Sequence, residues 1–255
     1  MQLLPLLVVI AAFALIIISI EAGRIIGSRR HLGNGQGVGG NYPAIEASVF
    51  GLMGLLVAFT FYGAGSRFDN RRMLIAQEAN AIGTAYLRID LLPPDAQPQL
   101  REDFRNYLRS RLAVFEKFPD STAVRSELDR SAALQKELWQ HAVEGSKGAA
   151  PPAQIFLLGS INEMIDITTT RTVAWQSHPP VAVFIMLGLT VILSSVLVGY
   201  EMSASPVQDW IPILTFWLLL GSLVYVIIDY EFPRAGLIRV SHIDQVLVDV
   251  LQNMK

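Results

Sequence analysis

Ala44-Ile-Glu46-Ala-Ser-Val-Phe-Gly51-Leu-Met-Gly-Leu55-Leu-Val-Ala-Phe59-Thr-Phe-Tyr-Gly-Ala64 is 21 residues long and carries a single charge, Glu46. As a helix rising roughly 1.5 Å per residue, it reaches across the ~30 Å hydrocarbon core of a bilayer. Three further runs have the same character: Leu3–Ile20, Val181–Tyr200 and Trp210–Ile228, each 18 to 20 residues and free of charge. A backbone inside lipid must satisfy its own N–H and C=O groups, which a helix does within one segment. The four runs therefore predict an integral membrane protein with four transmembrane helices, two on each side of a charged middle. No strand-period pattern competes, so the predicted fold class is all-α.

Composition agrees with that reading. The 255-residue chain is 52% hydrophobic and only 16% charged, where a soluble domain carries about a quarter charged residues. Its net charge is −2, and the segment Gly65–Ser177 holds 14 basic and 14 acidic side chains. Such a mixed surface offers no basic stripe for a phosphate backbone, which argues against a nucleic-acid partner. The absence of cysteine removes disulfides and thiolate chemistry. His31, His141, His178 and His242 lie far apart, with no two at a helical i, i+4 spacing, so neither a metal site nor a cofactor is predicted. No G-x-S-x-G, H-E-x-x-H or P-loop occurs, and an enzyme is not expected.

The first apolar run lacks a basic region before it and a small-residue cleavage site after it. It reads as a retained span. Orientation follows from the loop arginines. The turn Glu201–Asp209 has no Lys or Arg, whereas Arg67, Arg71, Arg72, Arg171, Arg234 and Arg239 gather on the other side. Both termini and the middle segment are therefore expected in the cytoplasm. Arg24, Arg29 and Arg30 point the opposite way.

Between the first two spans, Gly35–Gly40 contains a literal G-x-G-x-x-G. A dinucleotide fingerprint needs a strand before it and a helix after it, so a flexible external linker is the expected reading. The middle reads as four helices. Ile75, Ala79, Ile82, Tyr86 and Ile89 form a narrow stripe on the first, which Pro93-Pro94 ends. The second begins near Pro98, places Leu100, Phe104, Leu108, Leu112 and Phe115 on one face, and stops before Pro119. The third covers about Ser121–Val143. Gly145–Pro152 breaks the pattern, and the fourth carries Ile155, Leu158, Ile161 and Ile165 toward Trp175. With no proline between span two and the first of these helices, one rod of about 70 Å from Ala44 to Leu92 is possible, with Gly63 and Gly65 as its only cheap bends. Its stripe fits either self-association about an axis or packing on helices of the same chain. After span four, where Asp229 and Glu231 are expected to be solvated, Ser241 and Asp244 open an amphipathic tail helix with Ile243, Val246, Leu247, Val250, Leu251 and Met254 on one face. The expected organisation is a first transmembrane pair (residues 1–64), a cytoplasmic helical region (65–177), a second pair (178–230) and a cytoplasmic tail (231–255).

At the exit of span two stands Phe59-Thr-Phe-Tyr-Gly-Ala-Gly-Ser-Arg67-Phe68-Asp-Asn-Arg-Arg72, with Asn80 eight residues on. The spacing of Phe59, Arg67, Phe68, Arg72 and Asn80 resembles the bestrophin ion channels. The phrases Glu78-Ala-Asn80-Ala-Ile-Gly-Thr-Ala-Tyr86-Leu-Arg88, Asn162-Glu-Met-Ile-Asp166 and Pro233-Arg-Ala-Gly236-Leu-Ile-Arg239 are similar to those of a bacterial bestrophin-like family, and the likeness covers most of Ala44–Arg239. It implies four spans, a helical cytoplasmic region, the bacterial inner membrane and a ring of five subunits around a hydrophobic neck.

Carried onto this chain, the resemblance turns Gly51, Leu55 and Phe59 toward a pore; the alternative is that they are ordinary bundle or lipid-facing positions. Arg67 and Arg72 would line the inner vestibule or anchor lipid headgroups. Glu46 would stand at the outer mouth or reach the interface. The sequence also departs from bestrophins. Thr60 and Phe61 stand where an Arg and an Asn are common, Gly51 is too small to complete three hydrophobic rings, and Glu231-Phe-Pro233-Arg-Ala-Gly236 keeps the C-terminal motif only loosely. The implied function is a homo-oligomeric, pentameric channel for an inorganic ion, with the bilayer and further copies of itself as partners. The alternative is a non-conducting scaffold or sensor whose cytoplasmic helices bind a partner.

Overall fold

The computed structural model describes residues 3–33, 43–117, 120–203, 210–234, 238 and 243–254. Among these the fold is all-helical: α1 (Leu3–Gly33), α2 (Pro43–Leu87), α3 (Gln97–Glu116), α4 (Ser121–Ser146), α5 (Pro151–Gln176), α6 (Val181–Met202), α7 (Trp210–Glu231) and α8 (Gln245–Asn253). Four of the helices contain stretches long and apolar enough to cross a membrane. The glycine-rich segment 34–40, most of the turn before α7, Pro119, Arg239 and Ser241 lie outside the described residues.

Prolines and one aspartate place the helix ends. Helix α2 passes through Gly63 and Gly65 without interruption and runs for 45 residues, about 68 Å. It tightens into a 3-10 turn at Arg88–Leu91 before Pro93-Pro94. Asp120 caps α4, its carboxylate accepting from the backbone N–H groups of Thr122 and Ala123 at 3.0 and 3.1 Å, which satisfies two of the donors a helix start leaves open. Proline also occupies the first turns of α3 and α5, where no N–H is needed.

The chain divides into two compact units. The first, Met1–Arg67 with His178–Phe232, holds α1, the apolar half of α2 up to Arg67, α6 and α7. Helices α1 and α6 approach so closely that a Cβ on Gly199 would lie 1.9 Å from the carbonyl oxygen of Ile20, and one on Gly23 would lie 2.0 Å from that of Val196. Small residues permit such contact between membrane helices, where lipid removes the hydrophobic drive and packing must hold the pair. Ile16, Ile20, Val191, Ile213, Leu220 and Val224 form the core here. Phe13 meets Trp217 edge-on at 4.9 Å, and the indole N–H donates to the Phe13 carbonyl at 3.0 Å. Arg24 pairs with Glu21 one turn earlier at 2.8 Å.

The second unit, Phe68–Ser177 with Pro233–Lys255, holds the rest of α2 with α3, α4, α5 and α8. The stripe Ile75, Ala79, Ile82, Tyr86 and Ile89 is buried within the chain. It is therefore not available for self-association, and of the two readings the packing one holds. Tyr86 meets Phe104 of α3 edge-on at 6.0 Å.

The predicted face of α5 is a quarter to a third of a turn out. Leu157, Ile161 and Met164 are buried, while Ile155 is 70% exposed and Leu158 and Ile165 are only partly covered. Four consecutive apolar residues, Ile155-Phe-Leu-Leu158, made the helix phase ambiguous from sequence. In the tail helix the sequence stripe is partly right: Leu247 and Met254 are buried and Val246 is exposed.

Candidate functional site

Helix α2 in the first unit has a packed side and an open side. Val57 and Ala64 pack with Leu187 of α6 and Ile227 of α7, and the Thr60 hydroxyl is folded back onto the Leu56 carbonyl at 2.7 Å. On the other side Leu55 is 52%, Phe59 66% and Tyr62 76% exposed. A Cβ built on Gly51 or Gly54 meets nothing within 4 Å. Gly51, Leu55 and Phe59 thus share one face that the described residues of the chain leave uncovered, and Leu52 and Tyr62 extend it at the same three- and four-residue spacing. Exposure alone does not choose between lipid and protein as the covering material, because Ile185, Leu189 and Leu193 of α6 are equally open.

Glu46 lies in the first turn of α2 and is half-buried, where a negative charge suits the helix dipole. At the other end of the apolar stretch Arg67 is committed to a partner. Its guanidinium donates to Oε2 of Glu231 through Nε and Nη2, both at 2.9 Å. His178 Nδ1 sits 2.8 Å from the second oxygen, Oε1, and its ring stacks on Phe232 at 5.3 Å. Glu231 is 1% exposed and Asp229 is buried beside it in the helix end. The expected solvation of these two carboxylates is therefore wrong. A buried carboxylate needs a charged or hydrogen-bonding partner, and for Glu231 the chain supplies Arg67 and His178 from positions far away in sequence. Arg72, in the second unit, lies 3.6 Å from Asp69 and over the Phe68 ring at 5.7 Å.

The strongest electrostatic feature was not predicted at all. Glu78 is fully buried in the second unit and paired with both Arg111 of α3, at 2.7 Å, and Arg171 of α5. Arg171 and Arg234 converge on Asp244 at 3.4 and 2.9 Å. Burial by itself would raise the Glu78 pKa, but the two guanidiniums outweigh it and hold the carboxyl below its usual range. Burial also holds Arg234 below the ordinary arginine value, against the pull of Asp244. Arg71, read from sequence as a flanking charge, is buried too, and its Nη2 donates to the Ser177 carbonyl at 2.9 Å while Nε reaches that of Ala174 at 3.3 Å. The available sequence signal was Glu78 itself, lying between Ile75 and Ile82 beside an apolar stripe. Among the described residues no cluster of three or more His, Asp or Glu is arranged to hold a metal.

Four apolar helices and an all-helical fold define the class, an integral membrane protein of bestrophin architecture. A bestrophin-like domain model matches residues 8–243, and the chain belongs to that family. Its fold is similar to crystal structures of a bacterial bestrophin homologue from Klebsiella pneumoniae. One mutant form aligns with a TM-score of 0.71 at 14% identity, covering 96% of this chain and 99% of the homologue. Another mutant form aligns with a TM-score of 0.70 at 13% identity, covering 98% and 99%, and a further structure aligns at 0.67 and 14%, covering 96% and 97%. Among curated proteins none matches in sequence.

Proposed function

We propose that this chain is one subunit of a homo-oligomeric ion channel, a pentamer in which the second helices surround a hydrophobic neck. The observation that carries the reading is the open apolar face of α2, Leu55 and Phe59 above all, in a chain of the bestrophin-like family. Copies of these two residues around an axis make a constriction that inorganic ions cross only when it widens or stays wet. Farther along α2 the exposed face is mixed: Ser66, Asn70, Gln77, Asn80 and Thr84 share it with Met73 and Leu87, so it is more polar than the stretch around Leu55 and Phe59.

In this arrangement Gly51 leaves the neck wide above Leu55, and Glu46 stands at its outer mouth. Arg72 faces the inner vestibule. Arg67, tied to Glu231, contributes a neutralised charge there. The protein resides in the bacterial inner membrane, with both termini and residues 65–177 in the cytoplasm. Neither a cofactor nor a covalent step is needed, since transport runs down a gradient.

Tracer flux through liposomes tests the proposal. Wild-type protein should conduct, and Phe59→Ala and Leu55→Ala should conduct faster by widening the neck. Absence of flux in all three contradicts a channel and leaves a non-conducting scaffold.

A further inference from the structure

The second unit contains a cavity of about 190 Å³ that plays no part in the proposed pore. Arginine guanidiniums from three places in the chain line it: Arg111 on α3, Arg171 on α5 and Arg234 after α7. All three lie against the ring of Phe115, with Cζ atoms 5.8, 4.2 and 4.6 Å from its centroid. Trp175, Val124 and Leu128 supply apolar wall.

Among the described residues, charge in this cluster does not balance. Glu78 and Asp244 are the carboxylates paired there with the three guanidiniums, which leaves one positive charge in excess. The shortfall shows at Arg111. Its side chain is 2% exposed, its Nε is used by Glu78 at 2.7 Å, and its Nη1 has no hydrogen-bond partner among the described residues. A buried guanidinium N–H without an acceptor is costly, and a planar donor fork is shaped for a carboxylate. The volume lies below the roughly 300 Å³ at which drug-sized sites begin, so the occupant is small.

We infer that this cavity binds a small organic monoanion, its carboxylate on the Arg111–Arg171–Arg234 cluster and its apolar body against Trp175, Val124 and Leu128. An aromatic carboxylate the size of benzoate has both parts. An inorganic anion has only the head, and it would leave the apolar wall without a partner.

Isothermal titration of the full-length protein in detergent micelles with sodium benzoate, benzylamine and inorganic phosphate tests the inference, and its outcome does not depend on whether the protein conducts. Benzoate should bind saturably at one site per chain, phosphate more weakly, and benzylamine, of opposite charge, not at all. Leu128→Trp and Val124→Phe fill the cavity from α4 and leave every arginine in place. Both residues are only partly buried, so the larger side chains are expected to be tolerated, as thermal melting and gel filtration would check. Each should weaken benzoate by at least about tenfold, as should Arg234→Gln, which removes one donor fork. No saturable benzoate binding at millimolar concentration overturns the inference. So does binding that is unchanged in the filled variants, or phosphate bound as tightly as benzoate.

Discussion

The two halves of helix α2 carry apolar stripes of similar spacing and meet different fates. In the second half, Ile75, Ala79, Ile82 and Tyr86 are buried by the chain's own helices, and the charge beside them, Glu78, is fully buried with two arginine partners. In the first half, Leu52, Leu55, Phe59 and Tyr62 stay exposed, although the back of the same helix is packed against α6 and α7. In water an apolar stripe must be covered, and folding finds it a cover within one chain. In lipid the hydrocarbon covers it at no cost, so an uncovered stripe persists until some other surface fits it better. The buried half therefore reports on stability, and the open half is where function and assembly are to be sought.

The largest effect should come from breaking the buried half at its charge. Glu78→Ala leaves Arg111 and Arg171 without their shared carboxylate and should destabilise the protein by about 3–5 kcal/mol in denaturant unfolding. The same group sets a pH dependence. Its folded pKa lies below the ordinary value of 4.5, so its contribution is complete above pH 4.5 and is lost as pH falls from there through the depressed folded value. Wild-type melting temperature should drop in that acid window, and Glu78→Gln should show a flatter profile.

Next comes Ile82→Ala, which opens a void at a fully buried stripe position and should cost about 2–5 kcal/mol in the same assay. Smallest is Phe59→Ala in the open half. Its side chain packs on little within the chain, and its unfolding free energy as a monomer should change by less than about 0.5 kcal/mol. A loss at Phe59 as large as that at Ile82 would erase the distinction between the halves.

How much of this was legible in the sequence depended on whether the signal was local. Length and apolarity in the sequence pointed to four helices long and apolar enough to cross a membrane, because a bilayer sets a minimum length for a span. Pro93-Pro94 marked the end of the long second helix, because a missing N–H acts within one turn. The phase of α5 was misread because Ile155, Leu157 and Leu158 offer two competing faces, and only its neighbours, α4 and the 3-10 turn at Arg88–Leu91, decide between them. The ion pairs were invisible for a different reason. Arg67 finds Glu231 across 164 positions of sequence, and Arg171 finds Glu78 across 93. Pairing over such distances follows from the fold and leaves no spacing rule behind. The candidate neck residues could be located on a face from sequence, but what covers that face is a property of the assembly.

That covering is open to direct measurement, because the chain has no cysteine of its own. Phe59→Cys on the open face of α2 and Leu193→Cys on the open face of α6 can each be oxidised in intact membranes and examined on non-reducing gels. If α2 faces its symmetry mates, Phe59→Cys forms a disulfide-linked dimer and Leu193→Cys stays monomeric. A Phe59→Cys protein that remains monomeric, or that cross-links no better than Leu193→Cys, would put hydrocarbon over that face and contradict a pore lined by the second helix.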